Sequence, residues 1–270
     1  MTTDYKNLEK LKDEFVDACK KEFDRHQFNL LAITYHSTAI EGSTLDTDEV
    51  YNLIKYGTAA EKPLEHNNMV YDHYNAIGYI LGLAESKTEI NQQLLQKTAS
   101  FVMRTTGGMV HSLGGDFDTS KGDLRLDSRR AGTTLFMDYT KISRELDKLL
   151  NDLRTDLQKS QDFISANRLA FDAHFRLVTI HPFGDGNGRT ARLLMNYIQH
   201  WHGFPLSIVW SEDKTKYVKA LQESRDKSDV GIFHEFMFGQ MEEYFIYELK
   251  DMQRTPNKKK DKTSGFTYLF

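Results

Sequence analysis

The sequence predicts a mostly α protein interrupted once by a short β-hairpin flap. Apolar residues recur at three- and four-residue spacing through most of the 270 residues, and only four prolines interrupt them. Glycines crowd instead into residues 105–137, at Gly107, Gly108, Gly114, Gly115, Gly122 and Gly132, which discourages a regular helix there.

Taken in order, Leu8, Leu11, Phe15, Ala18 and Phe23 stand among charges at helical spacing over residues 5–25. The stretch from Phe28 to Ile40 predicts a second helix, stopped at Glu41-Gly42, because a glycine after the last apolar turn suits a left-handed C-cap. Asp46 or Thr47 caps a short third helix through Tyr56, with Gly57 as its stop. Two longer helices are expected over 63–86 and 89–104. Five more are expected over 138–158, 162–180, 188–202, 211–227 and 230–253.

Within the glycine-rich segment Leu124-Arg125-Leu126 alternates. Ala131-Gly132 can turn the chain back into Thr133-Thr134-Leu135-Phe136. A hairpin or extended flap follows, with an irregular surface loop as the alternative. Residues 254–265 are polar and lysine-rich, as in a mobile tail, and the apolar run Phe266 to Phe270 closes the chain.

The chain is 39% hydrophobic and 27% charged, ordinary for a globular protein. Its net charge of −4 offers no bulk electrostatic grip on nucleic acid. The lysines between Lys258 and Lys262 read as a solvated terminus. The N-terminus is too charged for a secretory leader, and no apolar run approaches the roughly 18 residues of a membrane span. A single cysteine, Cys19, rules out an intrachain disulfide. A reducing, cytoplasmic setting is the expectation.

The chemistry concentrates in Ile180-His181-Pro182-Phe183-Gly184-Asp185-Gly186-Asn187-Gly188-Arg189-Thr190-Ala191-Arg192. Pro182 ends the helix before it, since a residue preceding proline is pushed out of the α region. Gly186-Asn187-Gly188 tolerates positive φ, so successive N–H groups can converge into an anion nest. The next helix starts there and adds its free N–H donors and positive dipole end. Arg189 and Arg192, three apart, share a helix face, and guanidinium forks suit phosphate oxygens. Asp185 can hold Mg²⁺, which takes one or two carboxylates plus substrate phosphates. His181 ordinarily titrates near neutral pH and can serve as a base. Singly, each has an ordinary explanation: a helix-end histidine, a common turn, a solvated arginine face. Together and in this order they point to nucleotide phosphates. His174 reads as a core histidine.

This run resembles the signature of the Fic family, His-x-Phe-x-(Asp/Glu)-Gly-Asn-Gly-Arg-x-x-Arg, at every fixed position. The resemblance extends over residues about 28 to 240. It implies a Fic-type helical core with a small β-hairpin flap, and AMP transfer from Mg-ATP to a Ser, Thr or Tyr hydroxyl of a target protein. By that resemblance His181 deprotonates the hydroxyl and Asp185 holds Mg²⁺. Gly186, Asn187 and Gly188 cradle the phosphates, Arg189 binds phosphate oxygens, and Arg192 pairs with the γ-phosphate. The flap, about 122–137, holds the target segment by adding a strand. Family flaps often end in a proline pair; here Phe136-Met137-Asp138 stands instead. Tyr217 sits where the family often has an aromatic near the adenine, and a core tyrosine is the alternative.

Ser37-Thr38-Ala39-Ile40-Glu41-Gly42 resembles the family's inhibitory motif, (Ser/Thr)-x-x-x-Glu-(Gly/Asn), in the subclass with an N-terminal inhibitory helix. A carboxylate closing a helix is disfavoured by the dipole unless a cation faces it. By resemblance that cation is Arg192, and Ser37, one turn back, hydrogen-bonds within the site. An ordinary helix-end glutamate is the alternative. The expected organisation is an N-terminal helical region with the inhibitory helix over 1–60, a catalytic core over 61–253 and a polar tail over 254–270. The expected activity is protein adenylylation, autoinhibited by Glu41. The target is a protein with an accessible hydroxyl, including this chain itself, and a homo-oligomer stays open. Rival readings are removal of AMP from a modified protein, transfer of another group, and a non-catalytic interaction or DNA-binding module.

Overall fold

Side chains set the helix ends. Asp46 accepts the Glu49 N–H at 2.9 Å while the Glu49 carboxylate accepts the Asp46 N–H at 2.8 Å. This reciprocal box starts one helix, and Gly57, at φ 69°, stops it. Asn91 and Asp162 cap two others through the N–H groups of Leu94 and Ser165.

In the computed structural model, which describes residues 3–19, 25–132 and 134–254, ten α-helices form. They are α1 (Tyr5–Cys19), α2 (Arg25–Ile40), α3 (Thr47–Tyr56), α4 (Leu64–Glu85) and α5 (Gln92–Val102), then α6 (Ile142–Leu157), α7 (Phe163–Ile180), α8 (Asn187–Trp201), α9 (Lys214–Lys227) and α10 (Gly231–Arg254). The mostly α class is as expected. The helix expected from 211 opens with a 3₁₀ turn, Ser211–Asp213, before α9. The expected polar tail lies outside the described residues beyond Arg254, which ends α10.

The central element is α8. Thirteen of its fifteen residues are buried, with α7 and α4 as its main neighbours and α5 and α2 at its sides. Leu193, Leu194, Met195, Tyr197 and Ile198 fill the main core. α1 joins that core through Leu8 and Phe15 and packs on α10. α2 runs across α4 and α8, with Ile33 and Ile40 in the main core. Its Leu31 joins a smaller cluster with Leu45, Val50, Leu53 and Val70. Among the described residues no helix is long and apolar enough to cross a membrane.

The glycine-rich segment folds into two small antiparallel hairpins. One, not foreseen from the sequence, pairs β1 (Met109–Val110) with β2 (Phe117–Asp118). The other is the expected flap hairpin, β3 (Arg130–Ala131) with β4 (Thr134–Leu135); Thr133, expected in its turn, lies outside the described residues. Leu124 does not join the hairpin. It forms an antiparallel bridge to Phe183, in the loop after α7. The face that the alternation suggests is inverted: Arg125 is fully buried, while Leu124 and Leu126 are only half-buried.

Candidate active site

α7 ends where the sequence places its end, but His181 is not extended. It takes the left-handed conformation, φ 52° and ψ 59°, and its N–H donates to the Leu177 carbonyl. A non-glycine residue there costs about 1–2 kcal/mol, so neighbours must hold it. Arg125 does so: its Nε donates to the His181 carbonyl at 2.7 Å, and its own N–H donates to the Pro182 carbonyl at 2.9 Å. Phe136 lies flat on the imidazole, ring centres 3.7 Å apart and 11° from parallel. Burial, then the positive Arg125, pushes the His181 imidazole down to about 4, against an opposing hydrogen bond to the Val178 carbonyl. The ring is therefore neutral at pH 7. One nitrogen is occupied by Val178, and the other can take a proton.

The loop after His181 closes on itself. Asn187 Oδ1 accepts the Phe183 N–H at 2.9 Å and its Nδ2 donates to the Phe183 carbonyl at 2.8 Å. The Asn187 side chain thus shapes the loop, and what it can offer an anion is its main-chain N–H. Of the three residues expected to turn the chain, only Gly186 has positive φ, 74°; Asn187 and Gly188 already belong to α8. Gly188 is needed for room. A Cβ there would stand 2.5 Å from Glu41 Oε1 and 3.2 Å from Arg192 Nη1. No side-chain hydrogen bond caps α8, so its first N–H groups point into this space with the positive end of the dipole.

Both arginines are buried, at 2% exposure each, rather than lying on a solvated face. Arg189 reaches α5, with Nη1 donating to the Val102 carbonyl at 3.4 Å and Nη2 near Met103 Sδ at 3.2 Å. Its Nη2 lies 3.7 Å from Asp185, and its Nε has no protein partner. Arg192 is fully engaged: Nε donates to Ser37 Oγ at 2.9 Å, and Nη2 to the Ser37 carbonyl at 3.0 Å and to Glu41 Oε1 at 2.6 Å. Burial alone would raise the Glu41 carboxyl; the pull of Arg192 and then Arg189 outweighs it and holds Glu41 below the usual carboxylate range. Ser37, Glu41 and Arg192 therefore meet, and the carboxylate of Glu41 lies over the start of α8.

Beneath the arginines is a layer of neutral polar groups. Tyr217 is 3% exposed. Its hydroxyl lies 3.4 Å from Arg192 Nη1 and 2.9 Å from His174 Nε2, and its ring stands among Phe233 and Phe236. The structure thus places it behind Arg192, inside the core. Burial, then Arg192, pulls His174 down to about 3. The same causes, with Arg189, hold His73 well below its ordinary value.

Sequence reasoning missed Arg125, Phe136, His73 and Asp72. Asp72, buried on α4, accepts the N–H and hydroxyl of Thr105 at 2.7 and 2.9 Å and tethers the entry of the glycine-rich segment. A charged residue in a helix that otherwise packs inward was the available signal.

Asp185 is the only carboxylate in the loop. Its side chain is 67% exposed, and among the described residues no three His, Cys, Asp or Glu side chains gather as a metal site. One open carboxylate beside an anion nest fits Mg²⁺ that arrives with phosphates as its other ligands; it does not fit a protein-only metal cage.

What fold and site define together is a helical domain in which the N–H groups at the start of α8 and two buried arginines lie beside a neutral histidine. Residues 85–199 match the Fic/DOC family model. Over 215 residues the chain is 31% identical to a protein adenylyltransferase Fic of Nematostella vectensis, covering 75% of this chain and 45% of that protein. A namesake from Aedes aegypti is 29% identical over 205 residues, covering 75% and 38%. The chain thus spans less than half the length of these relatives. The fold is shared with a Fic-domain signalling protein of Bacteroides thetaiotaomicron, at TM-score 0.75 and 19% identity, over 93% of this chain and all of that one. Over residues 85–199 the chain is thus similar to the Fic/DOC family.

Proposed function

We propose that this protein transfers AMP from Mg-ATP to a Ser, Thr or Tyr hydroxyl of a target protein, and that Glu41 restrains it. The observation that carries this is the Glu41–Arg192 pair above the α8 N-terminus, 2.6 Å apart. The protein's own carboxylate occupies a cradle suited to phosphate oxygens.

In the transfer, the target hydroxyl oxygen attacks the α-phosphorus of ATP. The bond from that phosphorus to the bridging oxygen breaks, and pyrophosphate departs with the electron pair. His181 accepts the hydroxyl proton on its unoccupied nitrogen. The N–H groups at the start of α8, with Arg189 and Arg192, stabilise the charge that grows on the phosphate oxygens. Asp185 is the residue to hold Mg²⁺, which neutralises phosphate charge when bound. The Tyr217 hydroxyl, 3.4 Å from Arg192 Nη1, supports that arginine from behind. While Arg192 is bound to Glu41 and Ser37, it is not available to a γ-phosphate, so resting activity is low.

The test is intact mass after incubation with Mg-ATP, wild type beside Glu41→Gly, with a pre-adenylylated target in parallel. A gain of one adenylyl group supports transfer. Loss of the group from the target, dependent on Glu41, supports removal instead. Neither change, with no ATP binding in a calorimetric titration, would leave a non-catalytic module.

A further inference from the structure

Arg125 is the largest fully buried side chain among the described residues, yet it has no carboxylate within ion-pairing distance among the described residues. Its guanidinium is spent on main-chain carbonyls from three places. Nε donates to His181, at the end of α7. Nη1 donates to Asp127, within the flap ahead of β3. Nη2 donates to Met137, where the flap ends, at 2.5 Å. A planar fork with five donors in fixed directions can satisfy such a set, and a lysine ammonium cannot. Main-chain pairing adds to it: the Arg125 N–H donates to the Pro182 carbonyl, and Leu124 bridges Phe183. At the far end of the flap, the Phe136 N–H donates to the Arg129 carbonyl at 3.0 Å, and its ring stacks on His181. The histidine is thus gripped at its backbone and on its ring face by the two ends of one flap, while in a conformation it would not hold alone.

The geometry points to Arg125 as a positioning residue, assisted by Phe136, that locks the His181 base and the target-holding flap into one rigid unit. The flap is where a target segment would add as a strand next to β4. Its hydroxyl then meets a base whose backbone is fixed to the same guanidinium. The Arg125 guanidinium contacts neither Arg189 nor Arg192, and the linkage meets the start of α8 only through the main chain of Phe183, which pairs with the Asn187 side chain, so a change confined to the guanidinium separates base placement from nucleotide binding. Among the charged groups that face His181, Arg125 and, less strongly, Arg129 oppose its protonation and Asp185 favours it. Removing the Arg125 charge raises the proton affinity of the imidazole. Lysine keeps the charge and loses the fork.

This inference deepens the adenylyl-transfer reading and rests on it for its kinetic arm only. In the full chain with Glu41→Gly, the substitutions are Arg125→Lys, Arg125→Met and Phe136→Leu. Each is checked first for a cooperative thermal transition. A displacement of reacting groups near 1 Å costs on the order of 100-fold. Both Arg125 variants should therefore lose about that much in kcat, with the ATP Kd within about twofold. Phe136→Leu should lose less. The acid limb of the pH profile should stay in place for Arg125→Lys and move to higher pH for Arg125→Met. The second arm needs no activity: His181 is titrated by NMR without nucleotide. Arg125→Met should raise its midpoint, and Arg125→Lys and Phe136→Leu should change its chemical shift. Unaltered kcat in folded variants, or parallel loss of ATP affinity, would overturn the proposal. So would a His181 resonance that none of the three substitutions moves. If Arg125→Met does not fold, Arg125→Lys and Phe136→Leu decide through kcat and chemical shift. If Glu41→Gly alone incorporates no AMP, the transfer reading has failed, and the NMR arm still decides this one.

Discussion

Glu41→Gly tests the proposed restraint on the site. The carboxylate lies 2.6 Å from Arg192 Nη2, with its side chain 31% exposed against 3% for the arginine. In the substituted protein Arg192 keeps Ser37 Oγ, the Ser37 carbonyl and Tyr217, so the guanidinium stays in place but has a free direction. Truncating one partner of a desolvated charge pair costs about 2–5 kcal/mol. Solvent reaches one side of this pair, so about 2–4 kcal/mol is the fitting range, and the inhibited arrangement loses that advantage. At 1.4 kcal/mol per tenfold, AMP incorporation should rise roughly 30- to 1,000-fold. Glu41→Gln should release less than Glu41→Gly, because its amide still fills the space over Gly188, where a Cβ would already meet Glu41 Oε1 at 2.5 Å. Ser37→Ala should release less again, since a neutral hydrogen bond nets about 0.5–1.5 kcal/mol. The assay is labelled AMP incorporation at saturating Mg-ATP, with His181→Ala added as a control that must erase the gain. A Glu41→Gly protein no more active than wild type would refute the restraint and leave the loop chemistry standing.

His181→Ala should abolish transfer with ATP affinity nearly intact, as read by single turnover and calorimetry. Because burial and Arg125 hold His181 at about 4, its neutral form persists well below pH 6, so the acid limb assigned to this base should fall near pH 4 rather than 6.5; a limb at 6.5 that His181 controls contradicts that environment. Asp185→Ala should weaken the Mg²⁺ dependence of nucleotide binding, and superimposable Mg²⁺ titrations of the two proteins would remove Asp185 as ligand. Arg192→Ala should impair productive ATP binding more than ADP binding; equal losses would place the guanidinium away from the γ-phosphate. Acid should also destabilise the fold. Burial lowers His36 to about 4 and His174 to about 3. Below the unfolded value near 6.5 the unfolded chain takes up protons that the folded one refuses, so stability present above pH 6.5 is lost as pH falls toward 4. At pH 5.5 each histidine contributes a loss on the order of 1 kcal/mol. Equal urea midpoints at pH 7.5 and 5.5 would contradict this.

What the sequence by itself determined is local. Helix period, N-caps such as Asp46 and stops such as Gly57 depend on residues within one or two turns, so the ten helices were legible with boundaries a few residues off. The run from His181 to Arg192 was legible for the same reason: a helix end, a turn and a helix start are contiguous, and the anion cradle is made by their shared backbone. The Glu41–Arg192 contact, between residues 151 apart, was foreseen only through resemblance, because no local rule brings α2 onto α8. What only the tertiary structure decided is which polar groups are buried and what faces them. Arg125 reads in the chain as the solvent-side residue between two leucines. It is buried because the two ends of the flap and the end of α7 converge on one point, where three main-chain carbonyls need donors, and a guanidinium fork supplies them at lower cost than leaving them unpaired. Tyr217 likewise lies in the core behind Arg192 because α9 packs on α10, where Phe233 and Phe236 flank its ring and its hydroxyl reaches His174 and Arg192, a placement set by long-range packing rather than by its neighbours in sequence.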